Sequence, residues 1–147
     1  MNTYKIVKQK ETKTAIITLG SDCIVRVSFK DMVQVTPVEV EENFKAYNEI
    51  IDGESYPFII SAKSGSADYT TEGLVYAKAH EDDWPKLCVA LCIKNLAQRM
   101  LANFYLKINK PTSTHKIFDN ISAAENWCLS EVENSKRNGF ESMPIFI

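Results

Sequence analysis

The chain has 147 residues and a formal net charge of −2 at pH 7, with 45% hydrophobic and 24% charged residues. This composition supplies enough apolar material for one globular core and argues against intrinsic disorder. Basic residues are not clustered as in a nucleic-acid-binding protein, and no stretch approaches the ~20 apolar residues that an integral membrane helix needs.

The first predicted element is a β-hairpin. Thr14–Leu19 (TAIITL) and Ile24–Phe29 (IVRVSF) are rich in β-forming residues, and Gly20, Ser21 and Asp22 between them suit a tight turn. Apolar and mixed positions alternate along the second run, so we expect one face of this strand to meet the core.

A first helix is predicted to begin at Pro37, because Thr36 is a favourable N-cap and Glu39 completes a capping box. We expect this helix to end near Gly53. Apolar residues recur at helical spacing and form the stripe that should face the core: Val40, Phe44, Tyr47 and Ile51.

Two continuous apolar runs predict buried interior strands, Tyr56–Ser61 (YPFIIS) and Leu87–Ile93 (LCVALCI). The loop after the first run, AKSGSADYTTEG, is rich in small and hydroxyl residues. A second helix is predicted to start within this loop and to end near His80, where the EDDWP stretch turns the chain.

A third helix is predicted over Asn95–Ile108, and Pro111 marks the exit from it. The following stretch, His115–Phe118 (HKIF), predicts a short edge strand. His115 is expected to have a structural or solvent-facing role, because no carboxylate or cysteine partner lies near it in sequence.

A last helix is predicted over about Asn120–Lys136. Either Asp119 or Ser122 could cap it, and Ser122 with Glu125 fits the capping-box pattern. Trp127 is expected to fill space between this helix and the sheet.

The predicted order is therefore β-β-α-β-α-β-α-β-α. A hairpin followed by alternating helices and strands predicts an α/β fold with a mixed, mostly parallel sheet of four to five strands and about four helices. We expect one domain over residues 1–138, followed by an apolar C-terminal tail over residues 139–147.

Three stretches of the chain resemble the STAS-like family, the fold of anti-sigma-factor antagonists, which is structurally close to the CRAL-TRIO domains. They are AIITLGSDCIVRVSF, VTPVEVEENF and NKPTSTHKIFDNISAAENWC, and the resemblance spans Thr14 to Cys128. Within that group the chain is similar to a subfamily of uncharacterised bacterial proteins. The matching positions of the last stretch are Asn109, Lys110, Pro111, Phe118, Ala124 and Trp127. The resemblance implies a STAS-like fold and no known reaction.

Motifs for catalysis and for cofactors are missing. The chain has no GxSxG nucleophile elbow and no GxxxxGK[ST] phosphate loop. Glu81, Asp82 and Asp83 follow His80, but the side chains of consecutive acids diverge, so we interpret them as a polar loop rather than a metal site. We therefore expect a protein that is not an enzyme and has no cofactor.

The cysteines and the N-terminus favour a cytoplasmic location. Cys23, Cys88, Cys92 and Cys128 form no CxxC pair, so neither a zinc site nor a redox motif is indicated. Cys88 and Cys92 are expected to share one face of a strand as buried, reduced thiols. The polar start, MNTYKIVKQKETK, lacks the apolar region of a signal peptide.

The hydroxyl-rich junction before the second helix carries a regulatory hypothesis. In anti-sigma-factor antagonists, a serine at the corresponding helix start is phosphorylated by the partner kinase, so the resemblance makes this loop a candidate phosphorylation or partner-contact site. The family's Asp-Ser motif is absent here, and a turn with a helix cap is the competing interpretation. The candidate residues are Ser61, Ser64, Ser66, Thr70 and Thr71.

Apolar residues carry the two hypotheses about function. The first is a STAS-like protein-interaction or regulatory module, which binds an unidentified protein or forms a homodimer. The alternative is a carrier of a lipid or another small hydrophobic ligand. The candidate ligand or interface residues are Tyr69, Leu74, Tyr76, Phe104, Tyr105, Phe140 and Phe146, the last two from the tail, which we expect to be buried on its own domain or on a second subunit.

Overall fold

The computed structural model describes residues 3–62, 68–95, 100, 102 and 113–137. The strands in these ranges are β1 (Ile6–Glu11), β2 (Ala15–Gly20), β3 (Val25–Phe29), β4 (Gln34–Val35), β5 (Pro57–Ala62), β6 (Asp68–Tyr69), β7 (Cys88–Cys92) and β8 (Thr114–Phe118). The helices are α1 (Pro37–Ile51), α2 (Thr71–Ala79) and α3 (Ile121–Arg137), with a short 3₁₀ helix at Glu81–Asp83.

The main sheet has six strands in the order β1-β2-β3-β5-β7-β8. The strands β1, β2 and β3 are antiparallel to their neighbours, and β3, β5, β7 and β8 are parallel. The predicted mixed α/β fold is confirmed, with six strands in place of four to five. The strands β4 and β6 form a separate two-stranded parallel ribbon.

The strand β1 accounts for the sixth strand, and it was not predicted. All six of its side chains are exposed, so its sequence, IVKQKE, carries no alternation of apolar and polar residues. It forms because its backbone pairs with β2 at the edge of the sheet. Its lysines also reach α1: Lys8 Nζ donates to the Ile50 carbonyl oxygen at 3.2 Å, and Lys10 pairs with Glu49.

The two predicted interior strands lie side by side in the middle of the sheet. Each residue of β5 from Pro57 to Ser61 faces a residue of β7, in parallel register, from Cys88 to Cys92. The strands β3 and β8 flank this pair, so both β5 and β7 are hydrogen-bonded on two sides. Burial on both faces explains their continuous apolar sequences.

Helices cover the two faces of the sheet. Side chains of α1, among them Tyr47 and Ile50, pack on the main core with Ile17 and Phe58. The other face carries a second cluster, in which Ile59, Cys88 and Ala90 of the sheet meet Ala124 and Cys128 of α3, and Ile24, just before β3, also belongs to it. Trp127 packs at the margin of this second cluster, as predicted, with its ring 5.6 Å from that of Phe118.

The predicted start and end of α1 are confirmed. The backbone N–H of Thr36 donates to Glu39 Oε1 at 3.0 Å, which is one half of the predicted capping box. The helix ends at Asp52 in the left-handed region, with φ at 47°, and Gly53 follows with φ at 84°.

The cap of α3 was predicted wrongly. Neither Asp119 nor Ser122 takes that place, because Asn120 Oδ1 accepts the backbone N–H of Ala123 at 2.8 Å. Of the predicted third helix, Met100 and Ala102 are helical, and the rest after Asn95 lies outside the described residues.

Candidate functional site

The β4–β6 ribbon brings the starts of α1 and α2 together at the carboxyl ends of β3 and β5. The backbone N–H of Asp68 donates to the Val33 carbonyl oxygen and that of Thr70 to the Val35 carbonyl oxygen, each at 3.0 Å. Thr36 follows β4 directly and precedes α1, while Thr70 follows β6 and precedes α2. This end of a parallel sheet is where α/β folds commonly bind their ligands.

Four exposed apolar side chains lie close in sequence to the ribbon strands. Met32 is 86% exposed, Val38 72%, Val75 65% and Leu74 37%. All four lie within six residues of a ribbon strand in sequence. We call these four residues the ribbon surface.

An open cleft of about 400 Å³ adjoins the ribbon surface. Met32 and Val38 line it together, so these two side chains lie close to each other. Lys13 and Glu39 also line the cleft, and Lys13 Nζ lies 3.7 Å from Glu39 Oε2. Hydrogen bonds from Thr36 lower the pKa of the Glu39 carboxyl below its ordinary value.

Acidic side chains border the ribbon surface. Glu41 and Glu42 lie one turn of α1 beyond Val38, and both are exposed. Asp68 of the ribbon and Glu72 in the first turn of α2 are also exposed. Exposed carboxylates therefore neighbour the exposed apolar residues along the first turns of both α1 and α2.

The predicted hydroxyl cluster is only partly brought together. Thr70 Oγ1 accepts the backbone N–H of Gly73 at 3.0 Å and so caps α2. Thr71 is exposed as the first residue of that helix, whereas Ser61 is half-buried within β5. Ser64 and Ser66 lie outside the described residues.

The predicted apolar candidates divide in a similar way. The ring of Tyr69 packs 5.9 Å from that of Phe29, and burial raises the pKa of its hydroxyl. Tyr76 stacks on His80 with the ring centres 4.0 Å apart, and Leu74 belongs to the ribbon surface. The other candidates, Phe104, Tyr105, Phe140 and Phe146, lie outside the described residues, as does the whole tail.

His115 has a carboxylate partner that sequence reasoning missed. Its Nε2 lies 3.9 Å from Glu81 Oε1, and its Nδ1 lies 3.0 Å from the Ser113 carbonyl oxygen. The two side chains are only 13% and 10% exposed. Because Glu81 is 34 positions away in the chain, only the fold brings it to the edge strand.

The sequence matches one protein-family model over most of its length. A family model for a domain of unknown function, DUF7793, matches residues 17–131. The chain belongs to the DUF7793 family. The DUF7793 match includes the ribbon surface as well as Glu81 and His115.

A solved structure is also similar to this DUF7793 protein. The crystal structure of an uncharacterised protein of the DUF3478 family, with a SpoIIAA-like fold, from Shewanella loihica PV-4 is similar to it. The two share 11% sequence identity with a TM-score of 0.48, over 87% of this chain and 97% of the other. No curated protein matches the sequence.

Three cysteines of the DUF7793 chain lie on the α3 face of the sheet. A hydrogen bond with Cys128 and burial together raise the pKa of the Cys88 thiol well above its usual value. Burial raises the pKa of Cys92 to about 11. The predicted shared face of Cys88 and Cys92 is confirmed, since both contribute to the second apolar cluster.

The described residues contain neither a candidate metal site nor a candidate membrane-spanning helix. No three His, Cys, Asp or Glu side chains in these ranges are arranged to hold a metal ion. None of the helices described is both long and apolar enough to cross a membrane.

Proposed function

We propose that this DUF7793 chain is a non-catalytic, STAS-like interaction module that binds a protein partner through the ribbon surface. The observation that carries the proposal is the exposure of Met32, Val38 and Val75 at one end of the sheet. Apolar side chains gathered at one site and bordered by charge are typical of interaction surfaces.

The construction of the ribbon surface supports this role. Val38 and Val75 project from the first two turns of helices whose starts are held by backbone hydrogen bonds to β4 or by a capping box. A rigid surface loses little conformational entropy on binding, which favours affinity. The backbone that carries Val38 and Val75 is therefore anchored to the ribbon.

The environment of His115 supports a non-catalytic role. Its Nδ1 is occupied by the Ser113 carbonyl oxygen, and its Nε2 faces a buried carboxylate. A general base needs a nitrogen within hydrogen-bond reach of substrate. We propose that this histidine has a structural role.

We also propose that the protein acts in the cytoplasm, as the sequence analysis predicts.

The partner is either a second copy of the chain or another protein, and light scattering after size exclusion separates these cases. The experiment compares full-length protein, a chain ending at Asn138, and Val38→Asp/Val75→Asp. A dimer that is lost only in the double variant identifies self-association through the ribbon surface. A dimer lost only on truncation assigns it to the tail, and monomers throughout leave a different protein as the partner.

The structure gives the carrier alternative less support. The cleft beside the ribbon has the volume of a small-molecule site, but it is open, and Lys13, Thr14 and Glu39 contribute to its walls. A site for a hydrophobic ligand buries most of the ligand surface, which an open cleft does not do. Native mass spectrometry of freshly purified protein tests the alternative, since a retained hydrophobic adduct would revive it.

A further inference from the structure

The hydrogen bonds of His115 fix which of its nitrogens carries a proton. The Ser113 carbonyl oxygen can only accept, so Nδ1, at 3.0 Å from it, is the donor. In the neutral imidazole, Nε2 then presents a lone pair toward Glu81 Oε1. That oxygen is buried and has no hydrogen-bond partner.

Two acceptors therefore face each other across 3.9 Å, between the 3₁₀ helix and the edge strand β8. A buried carboxylate oxygen without a donor costs free energy. A single proton on Nε2 would turn the pair into a charge-assisted N–H···O contact, and this satisfies Oε1.

We infer that Glu81 and His115 form a proton-linked contact, in which uptake of one proton at His115 Nε2 ties the segment after α2 to β8. The proton comes from solvent and adds to the nitrogen lone pair, so no other bond changes. This inference is independent of the proposed partner binding and concerns how the fold responds to pH.

The neighbouring charges place the response on the acid side of neutrality. Burial lowers the pKa of His115, and the nearby ammonium groups of Lys86 and Lys78 act in the same direction. The hydrogen bond to the Ser113 carbonyl oxygen and the Glu81 carboxylate oppose them. Lys78 Nζ lies 3.3 Å from Glu81 Oε2, and Lys86 Nζ donates to the Glu81 carbonyl oxygen at 2.7 Å. Asp82, on the same 3₁₀ helix, partly offsets the charge of Lys86.

The contact lies at the far end of α2 from the ribbon. The helix begins at Thr71, beside the ribbon, and ends at Ala79, two residues before Glu81. Closing the contact therefore anchors the end of the helix that carries Leu74 and Val75.

Multiple-bond ¹H–¹⁵N spectra of the imidazole groups, recorded across a pH titration of the full chain, test the inference. The variants are Glu81→Gln and, as a matched control on an exposed site, Glu72→Gln, and His115→Gln assigns the signals. In the wild type we expect the Nδ1–H tautomer at high pH and a protected Nε2–H at low pH. In Glu81→Gln the pKa of His115 should fall further, because the carboxylate no longer attracts the imidazolium, while Glu72→Gln should match the wild type.

Either of two results would overturn the inference. One is a neutral His115 in the Nε2–H tautomer, and the other is an identical titration in the wild type and in Glu81→Gln. If Glu81→Gln fails to fold, the tautomer and the protection of Nε2–H in the wild type still decide the question.

Discussion

Gly73 packs against the carbonyl oxygen of Val35 so closely that no side chain fits between them. A Cβ added to Gly73 would overlap that oxygen and would lie 3.1 Å from Thr70 Oγ1. The carbonyl of Val35 cannot retreat freely, because it accepts the N–H of Thr70 within the ribbon. This contact sets how near the first turn of α2 comes to the ribbon.

Replacing Gly73 by alanine should therefore separate α2 from the ribbon. We expect a loss of about 1–3 kcal/mol in the free energy of unfolding, as for other overpacked sites. Thr71→Ala, at an exposed position of the same turn, should change it by less than about 0.5 kcal/mol. Urea denaturation followed by circular dichroism measures the free energy of unfolding of both variants. Equal values for Gly73→Ala and Thr71→Ala would contradict the tight packing at Gly73.

An ion pair with little solvent exposure joins β3 to α3. Arg26 Nη2 of β3 lies 2.7 Å from Glu125 Oε2 of α3 and 2.8 Å from Asp22 Oδ2. Truncating Glu125 removes one of the two carboxylates that bind the Arg26 guanidinium, while Asp22 remains, so Glu125→Ala should cost about 1–3 kcal/mol.

The pair formed by Lys10 and Glu49 is a control for this prediction. Both of its side chains are about half-exposed, so solvent screens their attraction. We expect Glu49→Ala to cost less than about 1 kcal/mol in the same urea assay. A similar loss of stability in Glu49→Ala and Glu125→Ala would show that burial does not strengthen the ion pair between Arg26 and Glu125.

The buried imidazole of His115 predicts how stability depends on pH. Its pKa in the folded chain lies below the ordinary value of 6.5, chiefly because of desolvation, so the unfolded chain binds the proton more readily. The free energy of unfolding should therefore fall as the pH drops through 6.5 toward the folded pKa, and level off below it.

His115→Gln should remove this part of the pH dependence. Urea denaturation between about pH 7.5 and about pH 5 compares the slopes of the variant and the wild type. The lowered pKa of Glu39 acts only near and below its ordinary value of 4.5, so it does not interfere. Parallel curves for the two proteins would contradict a buried, neutral His115.

The thiols of β7 should be unreactive in the folded protein. With a pKa of about 11, Cys92 is only about one thousandth thiolate near pH 8, and burial also shields Cys88. We expect iodoacetamide to label both residues slowly in native protein and rapidly in urea, as measured by peptide mass spectrometry. Fast labelling of native Cys88 would show that the contact between α3 and the sheet opens readily.

The sequence carried enough information for the core but not for the edges. Tyr56–Ser61 and Leu87–Ile93 were predictable because burial on both faces demands an apolar residue at every position. The start of α1 was predictable because a capping box is a local motif. The strand β1 was not, since both of its faces are exposed and only backbone pairing defines it.

The candidate site was less predictable than the fold, for two physical reasons. Each ribbon strand has two residues, which is too short for any periodic pattern. The contact between Glu81 and His115 depends on tertiary structure, and neither residue carries a local signal of the other. The exposure of Val38 and Val75 also depends on how the helices pack. From sequence alone, an apolar residue in a helix is predicted to be buried.

The most direct test of the account is a capture experiment with cells of the source organism. Tagged wild type, Val38→Asp/Val75→Asp, and the control Ile6→Asp/Val7→Asp, which makes the same change at exposed positions of β1, are cross-linked and compared by quantitative mass spectrometry. We expect wild type and control to retain the same protein, and the ribbon-surface variant to retain at least about tenfold less of it, as loss of an interface hot spot would give. Equal retention by all three proteins would contradict a partner-binding role for the ribbon surface.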